Sequence, residues 1–223
     1  MIRAPRGGAT GCLISVEGVE GAGKSSLVAG LAIWLRSQGR EVVVTAEPDG
    51  TPLGTHLREL FAKLATLDPL AECLLFAAAR AEHVRRVIRP AIERGAVVVC
   101  DRYADSTVAY QGYGRGVDLE VITALNRLAM DDLWPRLTII LDLDVAEGMR
   151  RARHRAPAEA ALEPDPFEAL ELDFHERVRK GYRAIHEREP ERVVLIDAAR
   201  PAAVVAHTVR DAIAARLGLG ATP

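Results

Sequence analysis

One octapeptide constrains this chain more than any other stretch. Gly18-Val19-Glu20-Gly21-Ala22-Gly23-Lys24-Ser25 fits the pattern G-x-x-x-x-G-K-[ST]. It lies between a β-branched run at 13–17 and a helical pattern at 25–38, where Leu27, Leu31, Trp34 and Leu35 recur at helix spacing and Gly39 is the stop. In that setting the glycines let successive backbone N–H groups turn around phosphate oxygens, and the helix N-terminus adds its partial positive charge. The pattern therefore assigns Gly18, Gly21, Ala22, Gly23, Lys24, Ser25 and Ser26 to a nucleotide triphosphate. Lys24 reaches the outer phosphates, and the Ser25 hydroxyl is placed to hold Mg²⁺.

The rest of the chain repeats the same alternation. Further apolar runs stand at 41–45, 96–100, 137–141 and 193–196. A mostly helical stretch covers 71–94, with Pro90 a kink or boundary and Gly95 a stop. The runs are continuously apolar and do not alternate, as expected of parallel strands covered by helices on both faces. The expectation is an α/β, three-layer P-loop NTPase fold: a five-stranded, mostly parallel sheet with helices on both faces. We read 1–223 as a single domain with a flexible N-terminus at 1–11. Four arginines followed by Pro157, Pro164 and Pro166 mark about 150–172 as a mobile lid.

Composition removes several function classes. The charges nearly balance, 29 Lys+Arg against 31 Asp+Glu, and aromatics are only 4%. That leaves neither a basic footprint nor a stacking platform for nucleic acid. No apolar run reaches the roughly 18 residues of a membrane helix, and the first eleven residues lack the apolar centre of a signal peptide. Cys12, Cys73 and Cys100 are odd in number and widely spaced, so a cytoplasmic location is expected. A GTPase needs an Asn-Lys-x-Asp reader, and the only asparagine, Asn126, is followed by Arg127. A small kinase acting on a small acceptor remains.

Several segments in the right order resemble the thymidylate kinase family. The octapeptide is similar to the family's P-loop, with the acidic Glu20 at its third position. Glu47-Pro48-Asp49-Gly50-Thr51 resembles the family's Arg-Glu-Pro-Gly-Gly-Thr, and Leu75-Phe76-Ala77-Ala78-Ala79-Arg80 its acceptor-base helix. Asp101-Arg102-Tyr103, Ser106, Tyr110, Gln111 and Gly112-Tyr113-Gly114-Arg115-Gly116 resemble its most specific stretch. The resemblance implies ATP- and Mg²⁺-dependent phosphorylation of dTMP to dTDP by a homodimer. Phe76 and Arg80, four apart on one helix face, would stack on thymine and bond its carbonyl edge. Arg102 would contact the acceptor phosphate and the transferring group, and Asp101 would join Ser25 at the metal. Glu20 would face the sugar 3′-hydroxyl, Tyr110 would crowd the 2′ position, and Ser106 and Gln111 would line the acceptor.

The family pattern is broken at two arginines. Ala46 stands where the family has the arginine before Glu-Pro. Aligning Asp165-Pro166-Phe167-Glu168 with the bacterial lid puts Pro166 at the lid arginine, and Gly21 supplies no substitute in the P-loop. Arg150, Arg151, Arg153 and Arg155 are the nearest replacements. Arg153 and Arg155 are expected to carry the catalytic charge. Two alternatives stay open: a kinase for another nucleoside monophosphate, and a nucleotide-binding protein with weak turnover.

Overall fold

All five apolar runs form strands: β1 (Cys12–Gly18), β2 (Val42–Ala46), β3 (Val97–Asp101), β4 (Leu137–Asp142) and β5 (Val193–Asp197). The computed structural model describes residues 11–64, 66–155 and 172–219. Among them the strands make one sheet of order β2-β3-β1-β4-β5, with every pair parallel. Continuous apolar sequence is explained by two-sided burial. In β1, Ile14 and Val16 join the core under α1 (Lys24–Ser37) and α9 (Ala202–Leu217), whereas Leu13 joins the core on the other face. There it meets Val84 and Ile88 of a π-helical turn (Val84–Ile88).

Helix α1 buries Leu27, Leu31 and Leu35, as the spacing predicts. Leu31 is 1% exposed, and trimming such a leucine to alanine costs about 2–5 kcal/mol. The 71–94 stretch resolves into α3 (Pro69–His83), the π-helical turn and α4 (Arg89–Glu93). Pro90 therefore stands at an element boundary, in the first turn of α4 directly after the π-helical turn. Its ring would strike the carbonyl four residues back in an α-helix, and the wider π turn just before it relieves that clash. Helices α2 (Pro52–Lys63), α5 (Ala104–Thr107), α6 (Leu119–Met130), α7 (Val145–Arg155) and α8 (Leu172–Arg188) complete the described set. A second π-helical turn, Val108–Gly114, follows α5 directly.

Of the segment read as a lid, 150–155 end α7 and Leu172 begins α8. Pro166 and the motif around it lie outside the described residues, as do residues 1–10 of the N-terminal segment. Strand order reverses on either side of β1, whose neighbours are β3 and β4. Open α/β sheets bind ligands at the carboxyl ends of strands beside such a reversal. Gly18, Asp101 and Ala46 end three strands at that edge.

Candidate active site

The loop after β1 threads between two cavities. One, of about 570 Å³, is lined on its near side by Glu20, Gly21, Gly23, Lys24 and Ser25. The other, of about 650 Å³, takes Ala22, Gly23 and Ser26. A single loop thus touches two ligand-sized spaces, which suits a reaction between two bound molecules.

Lys24 is buried, and its Nζ donates to the Val19 carbonyl at 2.9 Å, inside its own loop. Burial, then the positive charge of Arg102, lowers its pKa to about 8. An ammonium held this way gains when phosphate oxygens arrive. The Ser25 hydroxyl donates to Asp101 Oδ2 at 2.6 Å. Magnesium is usually bound by one or two protein oxygens plus phosphates and water, and the hydroxyl–carboxylate pair fits that donor set. No group of three or more His, Cys, Asp or Glu side chains gathers among the described residues, so a metal here depends on ligand oxygens as well.

Gly21 has a positional reason to be glycine. A Cβ there would overlap the Gly148 carbonyl, and its φ is +71°. Helix α7 thus sits directly on the phosphate loop, and an arginine at this position has no room.

Across the first cavity, Arg102 ends the β3 edge with φ +65°. It donates to the Gly18 carbonyl at 3.4 Å, pairs with Glu20 at 3.2 Å, and lies over the Tyr110 ring at 4.9 Å. Phe76 forms part of the opposite wall and meets Phe61 with ring centroids 4.9 Å apart. Tyr110 and Gln111 sit on the π-helical turn, and both line the cavity. Gln111 donates to Glu72 Oε1 at 2.6 Å, which fixes its amide and leaves its carbonyl as an acceptor.

Arg80 lines the same cavity but is 2% exposed. Nε donates to Glu47 at 2.8 Å, Nη1 to Asn126 at 2.7 Å, and Nη2 to Thr107 at 2.9 Å and the Tyr103 carbonyl at 3.3 Å. A guanidinium has five N–H groups, so one on Nη1 remains for a ligand.

Ser106 is bound to a group that sequence reasoning passed over. Glu17, the last residue of the run at 13–17, is fully buried. It accepts from the Tyr103 N–H at 2.7 Å, the Ser106 hydroxyl at 2.6 Å and the Tyr182 hydroxyl at 3.3 Å. Burial, then the charge of Asp105, raises its pKa to about 7. A carboxylate inside a continuous apolar strand was the available signal. Sequence reasoning also missed Arg58 of α2, which lines the cavity and pairs with Asp49.

Of the second cavity, the sequence pattern reached the near wall, Ala22, Gly23 and Ser26, and missed most of the far one. Its far wall comes from Ala198 to Ala202 after β5, and from Arg151 and Arg210. The signal was the run of small residues at the carboxyl end of the last strand.

The four arginines differ in their partners. Arg150 and Arg151 both bond Glu147, and Arg151 also donates to the Ala198 carbonyl at 3.1 Å, beside the second cavity. Arg153 is exposed in the last turns of α7. Arg155 ends that helix, and its side chain lies outside the description.

A family model described as thymidylate kinase matches residues 16–209. The chain is 49% identical over 207 residues to the thymidylate kinase of Desulfovibrio desulfuricans, covering 92% of this chain and 95% of that one. It is 50% identical over 196 residues to that of Thermomicrobium roseum, covering 88% and 91%. It also superposes on the crystal structure of thymidylate kinase from Ehrlichia chaffeensis with a TM-score of 0.76 and 32% identity, over 92% of this chain and 99% of that one.

Proposed function

The chain belongs to the thymidylate kinase family, and from that premise we propose that it transfers the γ-phosphoryl group of ATP to dTMP, giving dTDP and ADP. The observation that carries this reading is the phosphate loop standing between two cavities. The acceptor takes the first and the donor base the second, so the γ-phosphoryl group lies over Lys24 where they meet.

An oxygen of the acceptor phosphate attacks the γ-phosphorus, and the bond to the β–γ bridging oxygen breaks. Such a transfer needs alignment and charge stabilisation more than covalent help. Lys24 and Arg102 supply fixed positive charge. Mg²⁺, held from Ser25 and Asp101, would neutralise phosphate charge when bound. Phe76 stacks on the pyrimidine. The remaining Nη1 N–H of Arg80 meets a ring carbonyl, and the Gln111 carbonyl meets the ring N–H. Glu20 and Ser106 face the sugar side, and Tyr110 fills the space a 2′-hydroxyl would need. Arg151 and the loop after β5 hold the donor base. Arg153 and Arg155 provide charge over the donor phosphates.

A coupled ADP-release assay over dTMP, dCMP, AMP and GMP tests this. dTMP should be strongly preferred, and equal use of AMP or GMP would overturn the reading.

We also propose a cytoplasmic homodimer. Leu70 and Leu74 of α3 and Val121 and Leu128 of α6 are exposed apolar side chains on two helices that pack together, and no helix among the described residues is long and apolar enough to cross a membrane. Sedimentation should show a dimer that Leu74→Glu dissociates. A monomeric wild type removes the proposal.

A further inference from the structure

Three arginines line the first cavity: Arg58, Arg80 and Arg102. Arg80 is committed to buried partners, and Arg102 leans on the phosphate loop and Glu20. Arg58 lines the cavity together with Asp49, and neither of the other two arginines bonds that carboxylate. Its guanidinium is taken by Asp49 in a two-pronged pair: Nε to Oδ1 at 2.8 Å, and Nη2 to Oδ2 at 2.6 Å.

The pairing is set by local geometry. Thr51 caps α2 by accepting from the Gly54 N–H at 3.3 Å. A Cβ on Gly54 would overlap the Pro48 carbonyl, so the helix is seated on the turn that carries Asp49. Arg58, farther along α2, then meets the carboxylate. The side chains are 51% and 36% exposed. A pair this open contributes little to folding and exchanges readily. The guanidinium fork accepts a carboxylate or a phosphate in the same planar arrangement.

We propose that Asp49 is an internal occupant of the acceptor's phosphate seat, and that the acceptor binds by displacing it from Arg58. The inference rests on the proposed reaction for the identity of the acceptor, but not for the seat itself. Its consequence is selectivity. Affinity at this position becomes the difference between two anions competing for one guanidinium. A phosphate dianion, with more charge and more oxygens, wins over the carboxylate, whereas an acceptor without a phosphate cannot reach Arg58.

The test is calorimetric titration of the full chain with inorganic phosphate, thymidine and dTMP, in the wild type, Asp49→Asn, Arg58→Met and the double variant. Asp49→Asn should bind phosphate and dTMP about tenfold more tightly, the scale of one charge-assisted hydrogen bond. Thymidine binding should stay within about twofold. Arg58→Met should weaken phosphate and dTMP binding and abolish the gain, so that the double variant matches Arg58→Met. Unchanged phosphate affinity in Asp49→Asn overturns the inference. So does a gain that persists without Arg58 or extends equally to thymidine. If Asp49→Asn gains phosphate affinity while the assay panel shows no preference for dTMP, the reaction assignment falls and the seat stands.

Discussion

Glu47 and Asp49 are two residues apart, and each carboxylate holds an arginine of the same cavity. The Glu47–Arg80 pair is 7% and 2% exposed, and His83 closes on Glu47 from the other side at 3.2 Å. The Asp49–Arg58 pair is 36% and 51% exposed. Charges taken out of water at such cost stay only if every partner is present, so the first pair is part of the framework. Charges still in water can trade partners, so the second pair belongs to the working surface. Other groups in and behind the cavity wall divide by what they bond. Glu17, Glu72 and Arg80 are locked by buried hydrogen bonds, whereas Arg102 is partly exposed beside Glu20 and Lys24, though buried, lines the cavity on the Val19 carbonyl of its own loop; both belong to the working surface.

Glu47→Ala probes the locked side most severely. It leaves Arg80 charged and buried without its carboxylate, and should destabilise the fold by about 3–5 kcal/mol in urea melts. Asp49→Ala should change stability by less than about 1 kcal/mol. Comparable losses in the two variants would erase the distinction between the pairs.

Lys24→Ala probes the working side. Turnover should fall roughly 10²–10³-fold, the scale of removing one preorganised donor to a developing charge, with no loss of folding stability. Donor affinity in the wild type should weaken as pH rises through about 8, because binding must then restore the proton that burial has removed. The variant should lack that step. Near-normal turnover in Lys24→Ala would detach the loop from the chemistry.

Glu17 gives the smaller effect. Its carboxyl titrates at about 7 in the fold against an ordinary value of 4.5. The folded state therefore binds more protons than the unfolded state between those values. Stability should be greatest below about pH 4.5 as far as this group is concerned, and should fall as pH rises to about 7, by on the order of 1–3 kcal/mol. Glu17→Gln should flatten that part of the pH–stability curve. An unchanged slope would place Glu17 among the groups that titrate freely.

The sequence by itself determined the sheet and the phosphate loop. Both are written in neighbouring residues: continuous apolar runs demand two-sided burial, and the glycine spacing with Lys24 and Ser25 needs only the turn between β1 and α1. Phe76, Arg102, Tyr110 and Gln111 were legible through family motifs, each short and local. Tertiary structure alone decided the rest. It set Ser25 against Asp101, 76 positions away, and Ser106 against Glu17, 89 positions away. It committed four of Arg80's five N–H groups to the interior and carried Arg151 to the loop after β5. It also turned Asp49 onto Arg58. A motif records which groups are present, but whether a charge is bound or available depends on burial and on partners brought together from distant parts of the chain, and those exist only once the sheet has closed.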